Sequence, residues 1–143
     1  METRFFALLI GLGFLVLGLL GFVPGAVHLT HEVGDLRLTT GYGVLFGIFP
    51  VNLVLDVVHL AIGIAGIAAY RSLRAAVRFS RGLAVFFGAL AILGLLPGLR
   101  TIFGLLPLFG NDVWLHGLTA IIAAYFGWAQ FAPPGRVPTP HHA

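Results

Sequence analysis

The chain has no cysteine and no lysine, a single methionine, and only 9% charged residues. Without cysteine there can be no disulfide, no thiolate metal site and no haem attached through thioethers. The scarcity of charge places the composition far from the ~25% charged and ~45–50% apolar mix of soluble domains. At 59% hydrophobic with a mean hydropathy of +1.03, the chain reads as a membrane protein. Also missing are a Ser/His/Asp triad, an HExxH pair and a phosphate-binding glycine loop. The 20 glycines lie largely inside apolar runs, where they let helices approach closely.

What is present is a set of four apolar stretches. A hydrocarbon core of about 30 Å needs roughly 20 helical residues, and Phe5 to Val23, Val51 to Tyr70, Gly82 to Leu96 continuing toward Leu99, and Val113 to Phe131 qualify. The third is the shortest. The first resembles a signal peptide, with one arginine ahead of an apolar run, but the run is longer than a signal core and is expected to be a retained helix. Four spans leave no room in 143 residues for a separate soluble domain. One bundle over 1–132 is expected, followed by a polar Pro/His tail over 133–143.

All eight basic residues are arginine. Arg71, Arg74, Arg78 and Arg81 crowd the connection between the second and third spans, Arg4 precedes the first and Arg136 follows the last, against Arg37 and Arg100 on the other side. By the positive-inside rule both termini and the middle loop are cytoplasmic. The run suits an anchor near anionic headgroups. No aromatic residues interleave it to stack bases, so nucleic acid is not an expected partner.

Two phrases repeat. Leu45-Phe46-Gly47-Ile48-Phe49-Pro50 precedes His59 by the same interval that separates Ile102-Phe103-Gly104-Leu105-Leu106-Pro107 from His116, an offset of 57 throughout. Each odd-numbered helix ends in Gly-x-x-Pro-Gly, at Gly21 to Gly25 and Gly94 to Gly98, where proline and glycine stop helices. The first half carries 16 extra residues in its outer loop. The halves, about 4–70 and 78–131, share one orientation, so the fold class expected is all-α: a four-helix transmembrane bundle of two parallel-repeat helical hairpins. The Phe-Gly-x-x-Pro segments are expected as short turns or interfacial helices at the outer boundary.

On the second span Asn52, Asp56 and His59 follow i, i+4, i+7 spacing, an arc of about 60°, and Gly63, Gly66 and Tyr70 continue the stripe. On the fourth, Asp112, His116 and Thr119 do the same, followed by Ala123 and Gln130. Polar faces must turn inward in lipid, so the even-numbered helices are expected to line the interior, with both histidines in its outer half. Three readings compete. In a structural one, each aspartate sits near a helix N-terminus and pairs with its histidine, with Asn111 as an N-cap. In a second, His59 and His116 ligate a b-type haem, with Gly63 and Gly66 leaving room and Arg37 or Arg100 meeting the propionates; zinc on two His and two Asp is weaker. In a third, these groups handle protons or bind a quinone or lipid headgroup. In the outer loop His28, His31, Glu32 and Asp35 have divalent-metal character.

Gly21-Phe22-Val23-Pro24-Gly25, Phe46 to Asn52, Val58-His59-Leu60-Ala61-Ile62-Gly63, the basic loop and Asn111-Asp112-Val113-Trp114-Leu115-His116 occur here in order. Together they resemble a bacterial family of small four-helix membrane proteins catalogued as "domain of unknown function 4383", over about Arg4 to Phe131. The resemblance implies fold and a place in the bacterial cytoplasmic membrane, but no mechanism. The function expected is a non-catalytic accessory or structural subunit of a membrane complex, or a homo-oligomer. The alternative is a haem-, quinone- or other ligand-binding redox protein using His59 and His116.

Overall fold

The computed structural model describes residues 1–30 and 36–131. Four helices carry the fold: α1 (Glu2–Leu20), α2 (Leu53–Ala69), α3 (Leu73–Leu95) and α4 (Asn111–Gly127), followed by a 3-10 turn at Ala129–Phe131. α1 packs along α2 and α3 along α4, giving two helical hairpins side by side. α1 and α3 are long and apolar enough to cross a membrane, whereas α2 is a shorter apolar helix. Both even-numbered helices are 17 residues long. They are shorter than the apolar stretches suggest because Asn52 and Gly110 hold their entrances as extended or left-handed backbone.

α3 is the longest element at 23 residues, not the shortest. Its start is set by Ser72, whose hydroxyl accepts from the Ala75 amide at 3.2 Å. Arg74, Arg78 and Arg81 therefore stand on a helix and not in a loop, each on an exposed position.

The fold is not wholly helical. At the end of the bundle where α2 begins, β1 (Val27–Leu29), β2 (Gly43–Leu45) and β3 (Phe49–Val51) form an antiparallel sheet in the order β1-β2-β3. The long first loop supplies β1 and β2, and the Phe-Gly phrase supplies the turn to β3. Phe46 and Gly47 both have positive φ, at 52° and 70°, and the Ile48 amide donates to the Leu45 carbonyl at 2.9 Å. That is the mirror-image turn that matches strand twist. Phe103 and Gly104 repeat the conformation, at 57° and 91°, with Leu105 N donating to Ile102 O at 3.2 Å. The shorter second loop provides no strands to flank it.

The first hairpin is built on glycine. A Cβ on Gly11 would lie 2.8 Å from Ile67 N, on Gly18 2.8 Å from Asp56 O, on Gly63 2.5 Å from Leu15 N, and on Gly66 2.7 Å from Ala7 O. Aligned through the terminators (offset 73) and the phrases (offset 57), these positions correspond to Ala84, Ala91, Ala120 and Ala123 of the second hairpin. All four are buried alanines. At these four positions α1 and α2 meet with no side chain where α3 and α4 carry a methyl group, which in the second hairpin faces Gly117 at Ala91 and Gly88 at Ala120.

The opposite end is fastened by arginine. Arg4 Nε donates to Tyr70 O at 2.7 Å and Arg81 Nε to Gly127 O at 2.8 Å, with Arg4 over the Tyr70 ring and Arg81 over that of Trp128. Tyr70 and Gly127 are repeat counterparts. Each cation satisfies a carbonyl left over at a helix C-terminus, where the dipole favours positive charge.

Candidate functional site: a buried imidazole pair

Asn52 is buried and fixes the entrance of α2. Its Oδ1 accepts from Leu55 N at 2.9 Å, and its Nδ2 donates to Leu38 O at 3.1 Å and Leu105 O at 2.8 Å. The side chain thereby ties α2, the long loop and the second phrase together. Asn111 makes the reciprocal bond, donating to Ile48 O at 3.2 Å. Ile48 and Leu105 are counterparts, so each phrase is held by an amide from the other half. Asn111 is not an N-cap, since Gly110 fills that position with φ 64° and without a side-chain bond. The cap belongs to Asn52, which the polar stripe alone had suggested as a site residue. Asn52→Ala is expected to lower stability by about 2–3 kcal/mol, for a lost cap and two buried bonds. An unchanged midpoint in chemical denaturation would contradict this.

Two turns inward lies the centre of the site. The His59 and His116 rings meet with centroids 6.0 Å apart and planes at 64°. Phe14 lies 5.1 Å from His59, Phe87 stacks on His116 at 4.6 Å and 13°, and Phe14 and Phe87 are themselves 4.8 Å apart. Phe14 and Phe87 are also repeat counterparts, at the offset of 73. The site is therefore a quartet of two imidazoles and two phenyl rings, one of each from every hairpin. The polar stripe marks the histidines. The phenylalanines are marked only by their common distance of ten residues from Pro24 and Pro97.

The carboxylates break the symmetry. Asp56 packs its carboxyl group on Gly21, the C-cap of α1, while itself in the first turn of α2, so two helix dipoles act on it with opposite sign. The matching contact in the second half is Gly94 against Val113. Asp112 instead occupies the counterpart of Leu55, a fully buried core residue, and its Oδ2 lies 3.5 Å from His116 Nδ1, too long for a good hydrogen bond. The structural reading paired both aspartates with their own histidines, and only this second pair comes within reach. Thr119 is buried one turn inward of His116.

Among the described residues seven buried side-chain atoms have no hydrogen-bond partner: Asp56 Oδ1, both Asp112 oxygens, and both ring nitrogens of His59 and His116. Each such group costs about 1–3 kcal/mol when left unsatisfied. Neutral imidazoles bring one donor and one acceptor each, so with ionised carboxylates five of the seven atoms are acceptors and two are donors. Only with both carboxylates ionised is the cluster short of donors; a carboxyl group that keeps its proton brings a donor of its own.

A porphyrin does not fit this packing. Gly63 and Gly66, expected to make room for it, abut the backbone of α1, and Phe14 and Phe87 close on the imidazoles. Arg37 docks its amide on Gly104 O at 2.9 Å, and the Arg100 guanidinium lies over Phe109 at 6.0 Å. Among the described residues no group of three or more His, Cys, Asp or Glu is placed to hold a metal ion. Of the outer-loop set, His28 is exposed on β1, while His31, Glu32 and Asp35 lie outside the described residues, as does the tail from 132 onward.

The profile of one protein family matches residues 4–129, and with it the two His segments, the phrases and the glycine-packed hairpin just described. The chain belongs to the family described as Domain of unknown function (DUF4383). No curated protein and no solved structure matches the chain. The DUF4383 match spans both hairpins and every member of the ring quartet, so the imidazole pair lies wholly inside the family region.

Proposed function

We propose that this protein is a non-catalytic four-span bundle of a bacterial cytoplasmic membrane, both termini inside, which holds a small donor-rich polar ligand at the His59–His116 pair. The observation that carries the reading is the set of unpartnered buried polar atoms on Asp112, His116 and His59, with Asp56 Oδ1 one turn along α2 from His59. A native interior rarely leaves even a few such groups without water or ligand. With both carboxylates ionised, acceptors outnumber donors, and an occupant that brings N–H or O–H groups or positive charge is what favours that state. Ordered water is the minimum, and an ammonium-type amine or a hydrated cation fits the same need. A quinone, which offers only carbonyl oxygens, complements the site poorly.

The membrane setting is supported by apolar side chains exposed around the bundle: Leu9, Val16 and Leu19 on α1, Val85, Ile92 and Leu95 on α3, Trp114 and Ile121 on α4, all more than half exposed. Such a belt far exceeds the patches that soluble monomers tolerate. The arginine-rich end then lies at the cytoplasmic surface. An accessory role in a larger complex is compatible with this site, since ligand binding at a bundle centre needs no catalytic group.

The test is thermal unfolding of detergent-purified protein in the presence of ammonium, methylammonium, and mono- and divalent metal chlorides in turn. One of these is expected to raise Tm by several degrees in a saturable way, as ligand linkage requires, and to have no effect on Asp112→Leu. A flat response to every cation, with a native mass equal to that of the bare chain, would sink the ligand reading.

A further inference from the structure

The two seams between hairpins are counterparts but are not packed alike. Where α1 meets α4, Phe6 stacks on Phe126 at 4.5 Å and 13°. Where α3 meets α2, the counterpart of Phe6 is Phe79, but the counterpart of Phe126 is Ala69. Gly82 likewise stands where the first seam has Leu9, and Ala65 where it has Ile122. Three large side chains are thus replaced by small ones on the same seam. The result is an open groove of about 240 Å³ lined by Ile62, Ala65, Phe79, Gly82, Leu83 and Phe86. A Cβ on Gly82 would meet nothing within 4 Å, so the glycine is not there for helix packing.

One turn further toward the arginine end, Arg78 stands at i−4 from Gly82, and Arg74 a further turn back. Both are exposed and make no hydrogen bond or ion pair among the described residues. Arg81 differs, being engaged with Gly127 O and Trp128. An apolar slot that continues into two uncommitted guanidinium groups has the polarity of a phospholipid: acyl chain below, phosphate above. Guanidinium is the group best shaped to take phosphate oxygens in pairs. We infer that the α2–α3 seam is a binding site for one anionic phospholipid, its acyl chain along Gly82 and Phe86 and its phosphate on Arg74 and Arg78. At the α1–α4 seam the Phe6–Phe126 stack stands in the corresponding place. The inference rests on the membrane reading above.

The test is native mass spectrometry of the full chain in detergent, with dioleoylphosphatidylglycerol or dioleoylphosphatidylcholine added, and far-UV circular dichroism to check folding. Wild type is expected to retain one phosphatidylglycerol at least tenfold better than phosphatidylcholine. Gly82→Leu, which installs the residue of the other seam, is expected to reduce retention about tenfold with the fold intact. Arg74→Gln with Arg78→Gln is expected to abolish the preference between lipids. Equal retention of both lipids by wild type, or unchanged retention by Gly82→Leu, would overturn the site while leaving the membrane reading standing. A chain that stays monodisperse in detergent-free buffer would overturn the membrane reading and the site with it.

Discussion

Gly63→Ala is expected to destabilise the bundle by about 2–3 kcal/mol, although alanine is the better helix former by about 1 kcal/mol. The sign is decided by space. The new Cβ would lie 2.5 Å from the Leu15 amide nitrogen, and the atom it meets is backbone, which cannot rotate away. Relief requires α1 to move off α2 along its length, which disturbs the other glycine contacts at Gly11, Gly18 and Gly66 and moves Phe14 relative to His59. The counterpart exchange, Ala120→Gly, acts on a hairpin already spaced for methyl groups, so it costs only the helix propensity and a small void, about 1–2 kcal/mol. Chemical denaturation of both variants in one detergent, followed by far-UV circular dichroism, measures the contrast. Gly63→Ala at or above wild-type stability would refute close backbone packing as the organising contact of the first hairpin.

That contrast was half legible in the sequence. The repeated Phe-Gly-x-x-Pro phrase gave the even-numbered helices their correspondence, and hydropathy and the Gly-x-x-Pro-Gly terminators placed the four helices and their alternating direction. The small, polar stripes on α2 and α4 correctly marked His59, His116, Asp56 and Asp112 as interior. The odd-numbered helices were harder, because Leu, Phe and Val surround them on all sides and no polar stripe shows which face turns inward. Phe14 and Phe87 correspond only at the offset of 73, the 57 of the phrases plus the 16-residue insertion, which aligns α1 with α3. Gly63 and Gly66 illustrate a second limit. A glycine in an apolar helix signals that something comes close, but not whether it is a cofactor or another helix. The sheet was missed because a three-residue strand paired with a partner about 16 residues away has no periodicity of its own to detect. The start of α3 at Ser72 is hard to read because Arg74, Arg78 and Arg81 are as compatible with a loop as with the exposed face of a helix.

Replacing each buried aspartate by its counterpart from the other hairpin is expected to stabilise the ligand-free protein. Asp112→Leu puts at α4 the residue that Leu55 provides at α2, and Asp56→Val puts at α2 the residue that Val113 provides at α4. The fold has thus already accommodated each side chain once, at the counterpart position of the other hairpin. Each exchange removes unpartnered buried carboxyl oxygen, both atoms at Asp112 and Oδ1 at Asp56, worth about 1–3 kcal/mol in desolvation, and adds apolar contact. Asp56→Val carries the larger steric question, because its carboxyl group rests on Gly21 and a branched Cβ must fit there. The Gly94–Val113 contact is the precedent that it can. A gain of about 1–3 kcal/mol from either exchange, together with loss of the cation-dependent rise in Tm, would mean that these carboxylates are kept at a cost to stability because they bind something. That is the usual signature of a site as opposed to a scaffold. If both exchanges instead lower the stability of the ligand-free protein by more than about 1 kcal/mol, the carboxylates are structural and the His59–His116 cluster is a packing feature of the bundle.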